Sequence, residues 1–377
     1  MTTYAPPPLW SSGVTWDGSS ATWLGTLPSS GRPNLYLSIN GTLSTVVMSA
    51  HWRLGRSDWF DVLSPNSGSF TTKGAVTADP NDEVVLSTDS GVLWVGYVDD
   101  VSVTVDLTGT WSTVNATDVI GRLGLTVKPP GKLVVGPDRI PFFPLLGMTL
   151  DEVATEYIDT YAGVSIDVVV GDSAGTLPAF IDWYQPGTPP LLEVLNQCER
   201  SSNAMMALQP DGSIIIVMRD ALVAGSVITN ALTGRDTPFA WSETTSRATV
   251  INHLVFEQPA YDDTTVLDTT DATSLALYGD RTYSISDYLC SSASHFTTAL
   301  RTALASPRAQ VTGASIHVSD LSQKAILLAP LAWISYSGDT WQVMSIEHNV
   351  TPGEWTATIT ADASQNAITG NAEPTPI

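Results

Sequence analysis

Apolar and polar positions alternate along much of the chain with the two-residue period of a half-buried strand. The run VSVTVDL, Val101–Leu107, shows it most clearly. EVVLST and VLWVGYVDD precede it, separated by TDSG, and the cluster DPND at Asp79–Asp82 marks a turn. Short strands at this spacing from Pro33 to about Leu125 predict an antiparallel barrel or sandwich.

The pattern changes over residues 128–240. After the linker-like KPPGK, Leu150, Val153, Tyr157, Ile158 and Tyr161 follow a helical period behind a capping box of Thr149 and Glu152. A strand, VSIDVVV, comes next. A second helix is predicted through TPPLLEVLNQCERSS, with Thr188 as its cap and prolines in the first turn, where a missing N–H costs little. AMMALQPDGSIIIVM reads as a hairpin turning at Pro210-Asp211-Gly212. The stretch is a small α+β module.

From Arg247 to Ala363 the β pattern returns, beginning with VINHLVF. A helix predicted over Ser291–Ala305 carries Phe296, Leu300 and Leu304 on one face and stops before Pro307. Two hairpins follow, one turning at Ser337-Gly338-Asp339. In the other, Thr351-Pro352-Gly353 fits a type II turn. The expected architecture is therefore mainly β with an α+β insert: two small antiparallel β-barrel-like domains plus the α+β module. The divisions fall at 1–32 (an arm), 33–127 (first barrel), 128–240 (α+β module), 241–363 (second barrel with its helix) and 364–377 (a flexible tail).

The arm is rich in Gly and Ser and places Trp10, Trp16 and Trp23 at nearly even spacing. Its indoles suit three roles: anchoring in a neighbouring subunit, folding back on the arm's own domain, or stacking on a sugar.

Charge narrows the choice. Charged residues are only 14% of the 377 residues, against about 25% in an ordinary soluble domain. Ser, Thr and Gly take the surface positions, a profile that suits a molecule covered by subunit contacts. Sixteen Lys and Arg against 38 Asp and Glu leave a net charge of −22. Nucleic-acid binding needs clustered cations to displace phosphate counterions, so direct DNA or RNA binding is disfavoured. The N-terminus MTTYAPPPLW carries neither the basic nor the apolar region of a signal peptide, and no run reaches the ~18 apolar residues of a membrane span. Cys198 and Cys290, both on predicted helices, read as core residues and not as a disulfide.

No catalytic pattern emerges. His51, His253, His295, His317 and His348 include no pair at helical metal-binding spacing, and His253 and His317 read as satisfied strand residues. Phosphate loops and nucleophile elbows are missing from the sequence. The acidic pairs Asp99-Asp100, Asp262-Asp263 and Asp268 with Asp271 sit in turns and Thr-rich loops, where Asp ordinarily caps backbone. YDDTTVLDTTD lacks the calcium-loop pattern. Neither a cofactor nor a metal is expected.

One ordered set of motifs remains: INHLVF (Ile251–Phe256), LYGDR (Leu277–Arg281), the helix through Phe296 and Leu304, and TWQVMSIEHNVTPGEWTATI (Thr340–Ile359). It resembles the tail-tip and baseplate hub proteins of tailed bacteriophages and related contractile injection machines. Those proteins typically carry an N-x-V strand, a YG-x-R turn, a helix and a closing W-x-V…H…T-P…W hairpin. The match covers residues 247–362 and extends more loosely over 33–240. The Pro-Gly usual before the penultimate strand is replaced by LAPLAWISYSG.

The resemblance implies a structural virion protein, not an enzyme. It would be a homotrimeric ring at the tail tip, assembled in the host cytoplasm. Its partners would be a distal tail protein, the tape-measure protein and fibre or spike proteins, with DNA passing nearby but not specifically bound. Arg281 then either bonds across a subunit interface or closes a local bridge. Alternatives are a carbohydrate-binding adhesin, motivated by the twelve tryptophans, a distal tail protein, or a cell-wall hydrolase.

Overall fold

The computed structural model describes residues 33–363 apart from 59, 129–130, 136–137, 163–166, 171–176, 186, 220–228, 260–264, 295, 297–303 and 319–327. Its first part is a closed barrel of β1 (Tyr36–Ile39), β2 (Thr42–Gly55), β3 (Ser67–Lys73), β4 (Glu83–Thr88), β5 (Gly91–Asp106) and β6 (Gly109–Asp118). The hydrogen-bonded order β1-β4-β5-β6-β3-β2 returns to β1. Alternation explains the closure: Leu35, Leu37, Trp52, Phe70, Val84, Leu86, Trp94 and Val114 all point into a dry interior.

Helix α1 (Val119–Leu125), capped by Asp118, leads into the α+β module. There β7 (Gly131–Val135), β8 (Asp138–Phe143) and β10 (Trp183–Tyr184) form one small sheet. A second small sheet joins β9 (Val168–Val170), β11 (Ala204–Leu208) and β12 (Ile214–Met218). Helices α2 (Leu150–Tyr157) and α3 (Leu191–Ser202) bury Leu150, Val153, Tyr157, Leu191, Val194, Leu195 and Cys198. The Thr149 N–H donates to Glu152 at 2.9 Å, as the capping box requires. The cap of α3 is Pro190, not Thr188: the chain enters this helix through proline φ geometry, with no side-chain bond at the cap.

The second β region begins with β13 (Thr229–Ala231) and β14 (Ala240–Ser246). It then forms a separate antiparallel and parallel trio, β15 (His253–Gln258), β16 (Thr265–Thr270) and β17 (Thr282–Ile285), with helix α4 (Ala272–Tyr278) between the last two. The stretch expected to be a Thr-rich loop is thus strand and helix. Of the helix expected over 291–305, only residues at its two ends are described; Phe296 and Leu304 are buried, and Leu300 lies outside the described residues. Cys290 is in an isolated bridge with Phe180 rather than a helix, because its backbone serves that loop contact; it and Cys198 are buried and unpaired.

Strands β18 (Arg308–His317), β19 (Trp333–Tyr336), β20 (Asp339–Thr351) and β21 (Glu354–Ala363) complete a curved sheet, β14-β18-β21-β20-β19-β13. It curls until Trp241 of β14 meets Tyr336 of β19 at 4.5 Å and Trp341 of β20 at 5.8 Å. Ser337 (φ 56°) and Gly338 (φ 97°) turn β19 into β20 as a two-residue loop with both central residues left-handed. The Pro352-Gly353 turn is not type II, because Gly353 does not take the positive φ that type demands.

The two barrel-like parts share one sheet. Strand β2 spends its first half on β1 and its last six residues, Ala50–Gly55, paired with β20. Gly55, at φ 98°, permits the closest approach: a Cβ there would lie 2.8 Å from the Ser345 Cα.

Candidate assembly surfaces

The signature residues of the C-terminal region turn out to be bonded to one another. Asn252, fully buried just before β15, donates from Nδ2 to the Gly279 carbonyl at 2.8 Å, and its Oδ1 accepts the Arg281 N–H at 2.9 Å. Its own N–H donates to the Arg281 carbonyl (3.0 Å), and its carbonyl accepts the Asp271 N–H (2.9 Å). Asp271 in turn caps α4 through Ser274 N–H at 2.8 Å. One residue, through its side-chain amide and its backbone, therefore fastens both ends of α4 and the YGDR turn to β15. Gly279 closes the helix at φ 74°, ψ 179°, a conformation that side chains other than hydrogen strain to adopt. The guanidinium of Arg281 is exposed and makes no hydrogen bond or ion pair among the described residues. Trp10, Trp16 and Trp23 lie outside the described residues.

The closing hairpin motif has a comparable internal logic. His348 on β20 stacks on Trp52 of β2 (4.5 Å between rings, 16° between planes), and its Nδ1 accepts the Trp355 indole N–H at 3.1 Å. Complete burial pushes the imidazole down to about 3, so it is neutral. His348 and Trp355 thus clamp the β2–β20 seam.

Behind that seam lies a buried ionic junction. Arg56, following β2, pairs with Glu199 of α3 at 2.8 Å, both side chains at most 3% exposed. Glu199 Oε1 also accepts the Met206 N–H at 2.8 Å, and Arg56 donates to the carbonyls of Met206 and Asp61. Arg308 of β18 lies 3.8 Å from Asp362 of β21. Arg219, fully enclosed, and Arg308 both lie over the Phe60 ring, at 5.3 and 5.8 Å. Burial lowers Arg219 to about 10 against the opposing pull of Glu199; burial raises Asp362 to about 6 against the pull of Arg308. First barrel, α+β module and second β sheet all send charges to this point.

Nothing described assembles into a catalytic centre. Asp99 accepts from Thr117 Oγ1 (2.7 Å) and Asp100 from Asn115 Nδ2 (3.0 Å), so this pair ties β5 to β6. Asp262 and Asp263 lie outside the described residues. Asp268 and Asp280 flank His253 at 3.2 and 3.1 Å on opposite ring nitrogens, an arrangement that holds the ring but cannot chelate one ion. Partial burial pulls the His253 pKa down, and the bonds to Asp280 and Asp268 outweigh it, leaving the ring easier to protonate than usual. His51 and His317 make exposed pairs with Glu347 and Glu354, both at 2.9 Å. Among the described residues no three His, Cys, Asp or Glu converge on a metal position. An open groove of about 680 Å³ along α2 is lined by Asp151, Glu152, Thr155 and Glu156 beside Leu146 and Met148.

The surface that does stand out is the end of the β5–β6 hairpin, which the alternation of VSVTVDL predicted as half-buried. Val103 is 51% exposed, Val105 75%, and Leu107 wholly so.

No family model and no curated protein sequence matches the chain. Solved structures do. A tail protein from Neisseria meningitidis matches over 88% of this chain and 96% of its own, at 12% identity and a TM-score of 0.61. A 43 kDa tail protein of prophage MuSo2 from Shewanella oneidensis matches over 89% and 99%, at 14% identity and a TM-score of 0.56. An Escherichia coli component of the type VI secretion system, described as similar to the T4 tail proteins gp27 and gp5, matches over 86% and 76%, at 13% identity and a TM-score of 0.52. The chain therefore has the fold of phage tail proteins, and the expected resemblance holds at that level.

Proposed function

We propose that this chain is a structural hub of a phage tail tip whose copies close a ring, three to the ring, between the distal tail and the fibre or spike proteins. The observation that carries this reading is the single sheet joining both barrel-like parts through β2 and β20, in a chain that matches tail proteins over nearly its full length. A ring of such subunits presents twice as many β modules as it has subunits, a face suited to a tail of higher symmetry. The end of the tape-measure protein would sit within it. A net charge of −22 would keep passing DNA from adhering to the wall. In this reading the chain makes and breaks no bonds.

The adhesin reading finds less support. Trp52, Trp94, Trp183, Trp333, Trp341 and Trp355 are all core residues, 5% exposed or less, and so unavailable to stack on sugars.

Fab fragments raised against the purified chain test the placement. Labelled virions should carry Fab at the tail's distal end. Decoration of the head, or along the tube, would overturn the proposal. A gel shift adds a check on the charge argument: no duplex binding is expected at physiological salt, and a retarded band would contradict it.

A further inference from the structure

The exposed valines of β5 continue the inward face of the barrel beyond its rim. Val101 lies opposite Val114, Val103 opposite Ser112, and Val105 opposite Thr110. Val114 and Ser112 are buried, as are their β3 partners Phe70 and Thr72. Residues directly opposite on neighbouring strands share a side of the sheet, so Val101, Val103 and Val105 belong to the core side. What is missing is the strand on their other flank. The pairing of β4 with β5 ends at Glu83 and Tyr97, with a last backbone contact between Asp82 and Val98. From Val101 to Asp106 the outer edge of β5 pairs with nothing among the described residues. A lane one strand wide is open there, with unpaired backbone on one side and apolar side chains facing inward. Edges of this kind pair with whatever extended chain reaches them.

We propose that residues 1–32 of this chain fill that lane as an added strand. Their start point and length allow it. Pro33 precedes β1, whose Tyr36 lies opposite Ser87, itself opposite Val92 of β5. The lane, Val101 to Asp106, lies roughly 30 to 46 Å further along β5, at about 3.3 Å per residue. Thirty-two residues extend to about 105 Å. Their charge suits the site as well. The edge is acidic, with Asp99, Asp100 and Asp106, and the arm carries one carboxylate, Asp17, and one cation, Arg32. The same edge from a second copy fits worse: antiparallel self-pairing centred on Val103 would set Asp100 against Asp106. Trp16, seventeen residues from Pro33 and so able to reach about 55 Å from it, would cover the valine row.

Hydrogen exchange on the full chain and on a variant lacking residues 2–31 tests this, since the barrel begins only at Leu35. In the variant, amides of 101–107 should exchange at least tenfold faster, while those of Val84–Tyr97 hold their rates and certify the fold. Val103→Asp with Val105→Asp in the full chain should shift tryptophan emission to the red. Equal exchange in the two chains would overturn the proposal. So would protection that survives removal of the arm and disappears on dilution, which would put another part of a second copy in the lane.

Discussion

The side chain of Asn252 holds the carbonyl of Gly279 at 2.8 Å, and through that bond a strand and a turn 27 residues apart fold as one unit. The same amide takes the Arg281 N–H, so both partners are backbone groups that no neighbouring strand satisfies. Asn252→Ala is expected to cost about 2–4 kcal/mol, since each buried group left without a partner costs on the order of 1–3 kcal/mol. Gly279→Ala should cost about 1–3 kcal/mol through backbone strain alone, because a Cβ there meets nothing within 4 Å. Urea titrations of both variants check this; a neutral Asn252→Ala would remove the stated role.

Arg281 should behave differently. Its backbone builds the turn, and its exposed side chain makes no hydrogen bond or ion pair among the described residues, so Arg281→Ala should change stability by less than about 0.5 kcal/mol. If the guanidinium bonds across a subunit interface, the same variant should be depleted from assembled tails. Full incorporation would assign it no contact there.

The buried pair of Arg56 and Glu199 gives a third test. Removing one partner strands the other charge in a dry site, a loss of about 3–5 kcal/mol. Arg56→Met and Glu199→Met should each show it in thermal melts. The double variant should lose less than the two single losses combined. Simple additivity would mean the charges are not coupled.

Acid dependence follows from His348. Its folded pKa of about 3 lies below the ordinary 6.5, so the folded protein resists a proton that the unfolded chain accepts. Its contribution is complete above pH 6.5 and declines as pH falls toward 3, by up to about 1.4 kcal/mol per unit. Asp362, raised to about 6, has the opposite sign between pH 6 and its ordinary 3.8. A variant isolates the histidine: the stability deficit of His348→Gln should be largest at pH 7 and shrink by pH 4.5. A deficit independent of pH would show that the ring titrates normally.

Some of this architecture was readable from local chemistry. Pro210-Asp211-Gly212 and Ser337-Gly338 sit at hairpins because only small, turn-forming residues tolerate those angles. Strand β16 and helix α4 were hidden because Thr suits strand and loop alike. The cap Asp271, three residues before Ser274, was the available signal for α4. The union of β2 with β20 was out of reach, since Trp52 and His348 are separated by almost 300 residues and no local rule pairs them. Likewise, alternation in VSVTVDL identified a strand but could not say whether its apolar side was covered. The Asn252 network was legible only as the company of the INHLVF strand with a YG-x-R turn; the bonds that link them needed the fold.

The central claim is a ring of this chain at the tail tip. Cryo-electron microscopy of the virion's distal tail tests it most directly. Three copies should surround the tail axis, each contributing its β2–β20 sheet to the wall of the channel. A single copy off the axis, or density for the chain only in a peripheral fibre, would contradict it.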